Sequence, residues 1–164
     1  MRFLTLIISI MVFSFLVAAQ SGPIVPAKPY IVKTGKQVAD LAKELGAQDG
    51  NKNQDVFAAS GMQMRVAVFH DDRRENDNFE VHSESDDIYY VLDGKATLAL
   101  GGSLLTPNEI SPGEWRSKSA TGTQKVEVKK GDLIVVPRGT VHQRTVTGKG
   151  FSMVLIKVFE TRQP

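Results

Sequence analysis

Hydrophobic and polar residues follow two different periods along this chain, and the change falls near Gly61. Before it, one helix is predicted from Thr34, as N-cap, to Gly46, with apolar residues at helical spacing at Val38, Leu41, Ala42 and Leu45. After it come short β-branched or aromatic runs: MQMRVAVF, IYYVLDG, KATLALGG, KVEV, DLIVVP, VHQRTV and FSMVLIKVF. Gly, Asp, Asn and Pro separate these runs. The pattern predicts an all-β sandwich or barrel with one short N-terminal helix.

Three segments do not show the periodicity of the predicted helix or strands. Ser21–Pro29 includes three prolines and is expected to form an extended arm, and Gln48–Asp55 is polar and is expected to be a loop. Ser103–Gln124 is long and contains the only tryptophan, Trp115. A segment of this length in a compact domain is typically a lid or binding loop, or else disordered.

The N-terminal residues have the order of a secretory signal peptide. Arg2 is followed by the apolar run Phe3–Ala19, which ends in small side chains. An uncleaved membrane anchor is the alternative, although the run reaches only the lower edge of a spanning length. We expect cleavage after Ala19, a secreted or periplasmic protein without a stable membrane anchor, an arm and helix over 20–55, and a barrel over 56–160.

Composition restricts the chemistry. The 164 residues include 20 lysines and arginines against 18 acids, and the net charge of +2 is too small for nucleic-acid binding by bulk charge. No cysteine is present, which excludes disulfides, thiolate metal sites and a cysteine nucleophile. The sequence has three histidines, so any imidazole chemistry must come from His70, His82 or His142.

One combination of residues has the chemistry of a metal site. Glu80 and His82 are two apart in a strand-like stretch and share a face, and a tight hairpin would add Asp87 from the next strand. His142 lies on a second predicted hairpin, after the turn Pro137–Gly139. Two histidines with one or two carboxylates suit Fe(II), Mn(II), Ni(II) or Zn(II) and leave coordination positions open. The alternative is a histidine that pairs with surface acids.

The first segment resembles the first motif of the cupin family, G-x5-H-x-H-x(3,4)-E-x6-G. His82 matches the second histidine, Glu80 stands at the first, Asp87 stands at the glutamate position, and Gly94 closes the motif. Arg74 occupies the place of the opening glycine. This match is degenerate.

The second segment is similar to the second cupin motif, G-x5-P-x-G-x2-H-x3-N. Gly131, Pro137, Gly139 and His142 match at every interval, and Val146 replaces the final asparagine. Four fixed residues in register make this match specific. With the surrounding strands, the resemblance extends over residues 56–160.

The resemblance implies a cupin-type β-barrel, a double-stranded β-helix or jelly roll, often dimeric, with a metal ion inside its mouth. Carried over by position, the metal ligands would be Glu80, His82, Asp87 and His142. Two histidines and two carboxylates replace the usual three histidines and one glutamate, and the Asp87 side chain is shorter than glutamate. These departures leave two outcomes open: a divalent ion (Fe, Mn, Ni or Zn), or a metal-free binding cup.

Four further residues are candidates of a second rank. Tyr89 should face inward with Asp87, either orienting a ligand or acting as an acid, or packing in the core. Arg144 shares the parity of His142 and is a candidate to hold a substrate carboxylate. His70 points into the barrel or lies at its rim. Trp115 belongs to a lid, an aromatic plug or a dimer contact.

The leading hypothesis is a secreted or periplasmic cupin that binds a divalent metal and acts on a small organic molecule, as an isomerase, lyase, cyclase or dioxygenase. In that case Glu80 is a fourth ligand or a general base, and Tyr89 or Arg144 positions the substrate. A metal-free module that binds a small molecule is the second hypothesis. An inert storage-type barrel is the third. The expected partners are a small molecule and a second copy of the chain, with no nucleic acid.

Overall fold

The computed structural model describes residues 28–163, and the predicted signal peptide lies outside this range. Among these residues no helix is both long and apolar enough to span a membrane. The helix α1 (Gly35–Gly46) begins as predicted, with Thr34 as its N-cap in a capping box with Gln37. Its apolar face packs on the outside of the sheet, where Leu45 contacts Val68 in a small buried cluster.

Twelve strands follow the helix in the described residues. They are β1 (Lys52–Ala58), β2 (Met64–Asp71), β3 (Phe79–His82), β4 (Ser85–Leu100), β5 (Ser103–Leu105), β6 (Asn108–Ser111), β7 (Glu114–Ser117), β8 (Ser119–Thr121), β9 (Gln124–Lys129), β10 (Leu133–Val136), β11 (His142–Thr145) and β12 (Phe151–Phe159).

Ten of these strands form two antiparallel sheets that share β4, and β5 and β8 form a separate pair. Before Gly94, β4 pairs with β10 and β12, and β12 continues to β2 and β1. Beyond Gly94, β4 pairs with β9 and β11, and β11 continues to β3, β7 and β6. The buried core lies between the sheets and includes Val91, Leu98, Val146, Phe151 and Met153.

The predicted turn at residues 93–94 is wrong in one respect, because the chain bends there without reversing. Gly94 has a φ of 79°, a left-handed value that glycine adopts without strain. The bend sends one continuous strand from the first sheet into the second, where two separate strands were expected.

Two segments expected to lack regular structure contain strands. Lys52–Asp55, within the predicted loop, pairs with β2 as part of β1. Ser103–Gln124, expected to be a lid or disordered, forms two strand pairs, β5 with β8 and β6 with β7. Most side chains of these short strands are exposed, so the segment has no apolar alternation from which strands could be predicted.

Candidate functional site

The candidate site is built across neighbouring strands of the second sheet. His142 on β11 lies opposite Glu80 on β3, and β3 pairs on its other side with β7. In that register Glu80 faces Arg116, and His82 faces Glu114. Alternate residues of a strand share a face, so β3 and β7 together present two acids, one histidine and one arginine to the barrel interior.

The hairpins predicted around both motifs are wrong. Within the described residues β3 pairs with β7 and β11 but not with β4, and β10 pairs with β4 but not with β11. Each link carries the chain from one sheet to the other. Asp87, on the first half of β4, therefore approaches His82 from the facing sheet.

The structure brings all four expected ligands together. The imidazole rings of His82 and His142 are 5.0 Å apart. One ligand atom each from Glu80, His82 and His142 lie within 4.8 Å of one another. Asp87 Oδ2 lies 3.5 Å from His82 Nε2 and 3.9 Å from His142 Nε2. His82, Asp87 and His142 are buried, and Glu80 is partly exposed.

His142 presents an unprotonated nitrogen to the site. Its Nδ1 lies 2.9 Å from the carbonyl oxygen of Thr140, which can only accept, so Nδ1 carries the proton. Its Nε2 is buried without a hydrogen-bond partner, 3.8 Å from Glu80 Oε1. Burial lowers the pKa of His142, so the ring is neutral near pH 7. This is the state in which an imidazole binds a metal.

His82 lies between two carboxylates. Its Nδ1 is 2.7 Å from Glu114 Oε2, and its Nε2 faces Asp87. Burial by itself would lower the pKa of His82, but the interactions with Asp87 and Glu114 outweigh it and raise the pKa to about 9. At both acids burial by itself would raise the pKa, but the interactions with His82 and Lys157 together outweigh it, so the pKa of Asp87 falls to about 2 and that of Glu114 is lowered. Without a bound cation, His82 is therefore positively charged.

Asp87 has two further partners. Tyr89, which is buried and faces inward as expected, donates its hydroxyl proton to Asp87 Oδ2 at 3.0 Å. Lys157 Nζ lies 3.2 Å from Asp87 Oδ1 and 3.7 Å from Glu114 Oε1. Burial, together with the charge of Asp87, raises the pKa of Tyr89 well above its ordinary value, so the hydroxyl keeps its proton. Tyr89 therefore positions Asp87 as a hydrogen-bond donor.

The donor atoms fit a divalent ion. In a tetrahedral site with bonds of ~2.1 Å, ligand atoms lie about 3.4 Å apart. His82 Nε2 to Asp87 Oδ2 is 3.5 Å, and His142 Nε2 lies 3.8 Å from Glu80 and 3.9 Å from Asp87. Two imidazoles with two carboxylates are a donor set for a borderline or hard divalent metal. The group Glu80, His82 and His142 could therefore hold a metal, with Asp87 within reach as a fourth ligand.

The second motif fixes these side chains through its turn. The backbone N–H of Gly139 donates to the carbonyl oxygen of His82 at 2.7 Å, where Gly139 has a φ of 77°. Arg138 donates to the Asp86 carboxylate through its backbone N–H and its guanidinium. The turn therefore ties the end of β3 to the beginning of β4, one residue before Asp87.

A cavity of about 280 Å³ adjoins the site. Glu80, His82, Asp87, Tyr89 and Glu114 line it together with the cationic side chains Arg65, Arg74, Arg116, Arg144 and Lys157. Arg144 thus lies at the cavity, as its parity with His142 indicated. Its Nε also donates to the buried Asp71 at 2.6 Å, a partner that was not foreseen. An inert storage-type barrel was expected to lack such a cavity.

His70 and Trp115 do not join the site. His70 lies on the face of β2 that packs against α1, where its Nδ1 is 2.9 Å from Ser152 Oγ and its ring adjoins Gly46. The opposite face of β2, which carries Arg65 and Phe69, lines the cavity. Trp115 lies opposite Val81 and has the opposite parity to Glu114.

Sequence reasoning missed Glu114, Arg116 and Lys157. Glu114 and Arg116 belong to the segment without apolar alternation, and only the register with β3 brings them to the site. The sequence did indicate that Lys157 points inward, because it lies on the same face of an apolar strand as Phe151, Met153 and Leu155. A lysine on the inward face of a strand seldom occurs without a partner.

Comparisons with known proteins support the fold. No family model matches the sequence, and no curated protein matches it. The solved structure of BH2720 from Bacillus halodurans is similar at 16% identity and a TM-score of 0.57, covering 84% of this chain and 86% of that one. An uncharacterized Klebsiella pneumoniae protein with a double-stranded β-helix domain matches at 18% identity and a TM-score of 0.48, over 68% of this chain and 79% of that one. KdgF from Halomonas sp. matches at 17% identity and a TM-score of 0.46, over 68% and 82%.

The described residues confirm the predicted all-β barrel with one short helix, and BH2720 shares this fold. A cluster of histidine and carboxylate side chains lies in the cavity of the barrel.

Proposed function

We propose that this protein is a metal-dependent enzyme that acts on a small organic molecule, with Glu80, His82, Asp87 and His142 as the metal ligands. The observation that carries the proposal is His142 Nε2, an unprotonated and buried nitrogen without a hydrogen-bond partner, beside two carboxylates. A buried polar atom without a partner is costly, and a bound cation would remove that cost. The ion, when bound, supplies Lewis-acid or oxygen chemistry of the isomerase, lyase, cyclase or dioxygenase type.

The other residues have supporting roles in this proposal. Glu114 holds the Nδ1 side of His82, as carboxylates do for metal-bound histidines. Tyr89 keeps its proton and orients Asp87. Glu80 is the most accessible ligand, and Arg116 lies 3.3 Å from its Oε2. Glu80 is therefore also the residue best placed to exchange a proton with a substrate, while Arg144 positions that substrate.

Elemental analysis of the protein purified without a histidine tag tests the proposal. We expect close to one Fe, Mn, Ni or Zn ion for each chain, either as purified or after incubation with the metal salts. Less than a tenth of an ion for each chain after incubation with all four metals would overturn it.

A second candidate is a metal-free binding module, and one observation favours it. Lys157 and the protonated His82 already neutralise Asp87 and Glu114 without any ion. In that case the cavity binds a small molecule without metal chemistry. The same elemental analysis separates the two candidates, because a binding module gives the low metal content on every trial.

Metal binding is expected to depend steeply on pH. His82, with a pKa of about 9, must lose a proton before its Nε2 can bind an ion. Between about pH 7 and pH 9 the apparent association constant should therefore rise about tenfold for each pH unit. Competition with a chromogenic chelator, corrected for the chelator's own protonation, measures this slope. An affinity that is constant over this range would show that His82 is not a ligand.

Glu114→Gln is expected to weaken metal binding about tenfold. This is the lower end of the ~10–100-fold loss of affinity that follows removal of a carboxylate bonded to a metal-binding histidine. The low end is expected because loss of the Glu114 charge also lowers the pKa of His82 and eases release of its proton. The matched control is Glu127→Gln, an exposed glutamate on β9. Equal metal affinities for the two variants would show that Glu114 does not support metal binding.

We also propose that the protein is secreted or periplasmic, on the strength of the N-terminal pattern over residues 1–19. Sequencing the N-terminus of protein recovered from outside the cytoplasm should give a chain that begins at Gln20. A chain that begins at Met1 in that fraction would contradict the cleavage site.

A further inference from the structure

We infer that the molecule bound in the cavity is a small organic carboxylate, held by Arg144 and Arg65, which both lie over the ring of Phe69. The inference rests on the proposed function in taking this cavity as the substrate site, and it names the class of substrate. Four features of the cavity carry it: how its arginines are held, the position of Phe69, the charge balance, and its size.

Arg144 and Arg74 at the cavity are held by a buried carboxylate that does not line it. Asp71 is 1% exposed, accepts from Arg144 Nε at 2.6 Å, and lies 3.4 Å from Arg74. Among residues 28–163, Asp71 is the only hydrogen-bond partner of the Arg144 side chain. The Arg144 guanidinium, which offers further donors in a planar fork, is thus held in place at the cavity wall. A planar fork of donors matches the two oxygens of a carboxylate.

Phe69 lies within cation–π distance of two guanidinium groups. The Cζ atoms of Arg65 and Arg144 lie 5.8 Å and 6.0 Å from the centroid of its ring. Both distances are within the range of cation–π attraction, so the ring favours these two side-chain positions before any ligand arrives. Preorganised donors cost less conformational entropy on binding than free ones.

The charge balance favours a carboxylate over a phosphate. Three of the cavity arginines are already ion-paired with an acid: Arg65 with Asp55, Arg74 with Asp77, and Arg144 with Asp71. These pairs leave no excess positive charge to offset a doubly charged phosphate, whereas a carboxylate group brings one negative charge and can accept from the free guanidinium N–H donors of Arg144. Phe69, Met153 and Leu155 also line the cavity and offer apolar surface for a carbon skeleton.

The size of the cavity limits the ligand. Its volume of about 280 Å³ lies just below the range of ~300–1,000 Å³ that is typical of drug-sized ligands. The same volume corresponds to about nine water molecules at ~30 Å³ each. The ligand is therefore a compact acid and not an oligomer or a lipid.

Calorimetric titration with three probe pairs tests the inference on the full mature chain. The probes are propionate, lactate and benzoate, each against its uncharged amide, with inorganic phosphate as a further comparison. Each titration uses both chelator-treated and metal-loaded protein. We expect at least one carboxylate to bind ten times or more tightly than its amide, and more tightly than phosphate. Equal binding of all acids and amides, or tighter binding of phosphate, would overturn the inference.

Variants connect this binding to the arginines. Arg144→Met is combined with Asp71→Asn, so that no buried charge is left unpaired, and it should weaken the best carboxylate at least tenfold. Arg65→Met, at a partly exposed ion pair, should weaken it severalfold and keeps the test available if the double variant fails to fold. Arg73→Met, an exposed arginine outside the cavity, is the control. Unchanged carboxylate binding in Arg65→Met or in a folded double variant would overturn the inference.

Metal content measured on the same samples separates this inference from the proposed function. Carboxylate selectivity without metal binding would contradict the metal enzyme and support the arginine site. Metal binding without any carboxylate selectivity would support the metal site and overturn this inference.

Discussion

Replacing His82 and His142 together by alanine is expected to lower metal affinity by more than about 100-fold, beyond the effect of losing a supporting residue. The double variant keeps Glu80 and Asp87 but removes both nitrogen donors, and two carboxylates alone hold Fe, Ni or Zn poorly. Both histidines are buried, but neither belongs to the apolar cluster that forms the barrel core. The β-rich circular dichroism spectrum should therefore remain nearly unchanged.

Elemental analysis and circular dichroism of the same preparation measure this result. His70→Ala is the matched control, because it removes the third imidazole from the opposite face of β2, beneath α1. Full metal content in the control and almost none in the double variant would place the ion between β3 and β11. Full metal content in the double variant would show that the ion lies elsewhere.

The strands and the meeting point of the histidines could be predicted because local chemistry specifies both. Gly131, Pro137 and Gly139 define turns at fixed intervals, and Gly139 then donates its N–H directly to His82. That bond joins the two motifs, so spacing in the sequence becomes proximity in space. The helix was equally predictable, since its N-cap, its apolar face and its end are all local.

The second half of the site depends on register between distant strands, which single-sequence patterns do not encode. Glu114 reaches His82 only because β7 pairs with β3, and β7 carries no apolar signal of its own. The predicted hairpins were wrong for a related reason. A turn between two strands looks the same in sequence whether the chain folds back within one sheet or crosses to the facing sheet.

His82 and Asp87 show what this difference means for chemistry. A hairpin would have placed them side by side on one sheet. Across the barrel they instead lie on facing walls, with Lys157 from β12 beside Asp87. The cavity between the walls is the space that a ligand needs, so the crossing links create the candidate site as well as the fold.

Gly94→Ala is expected to destabilise the protein by about 3 kcal/mol or more, the scale of a strained backbone combined with overpacking. Gly94 has a φ of 79°, and a Cβ there would collide with the carbonyl oxygen of Gly150 and lie 2.9 Å from Phe151 Cα. Both neighbouring atoms belong to backbone, which cannot rotate away as a side chain can. Phe151 is itself buried in the core, so any shift of β12 disturbs packing between the sheets.

Gly131→Ala separates strain from collision in this prediction. Gly131 has a φ of 92°, but a Cβ there would meet nothing within 4 Å. Its substitution should therefore cost only the left-handed backbone penalty, about 1–2 kcal/mol. Urea unfolding of both variants measures the difference. If β4 must pass close to Gly150 in order to change sheets, Gly94→Ala loses clearly more stability than Gly131→Ala. Equal losses would show that the fold does not require this close approach.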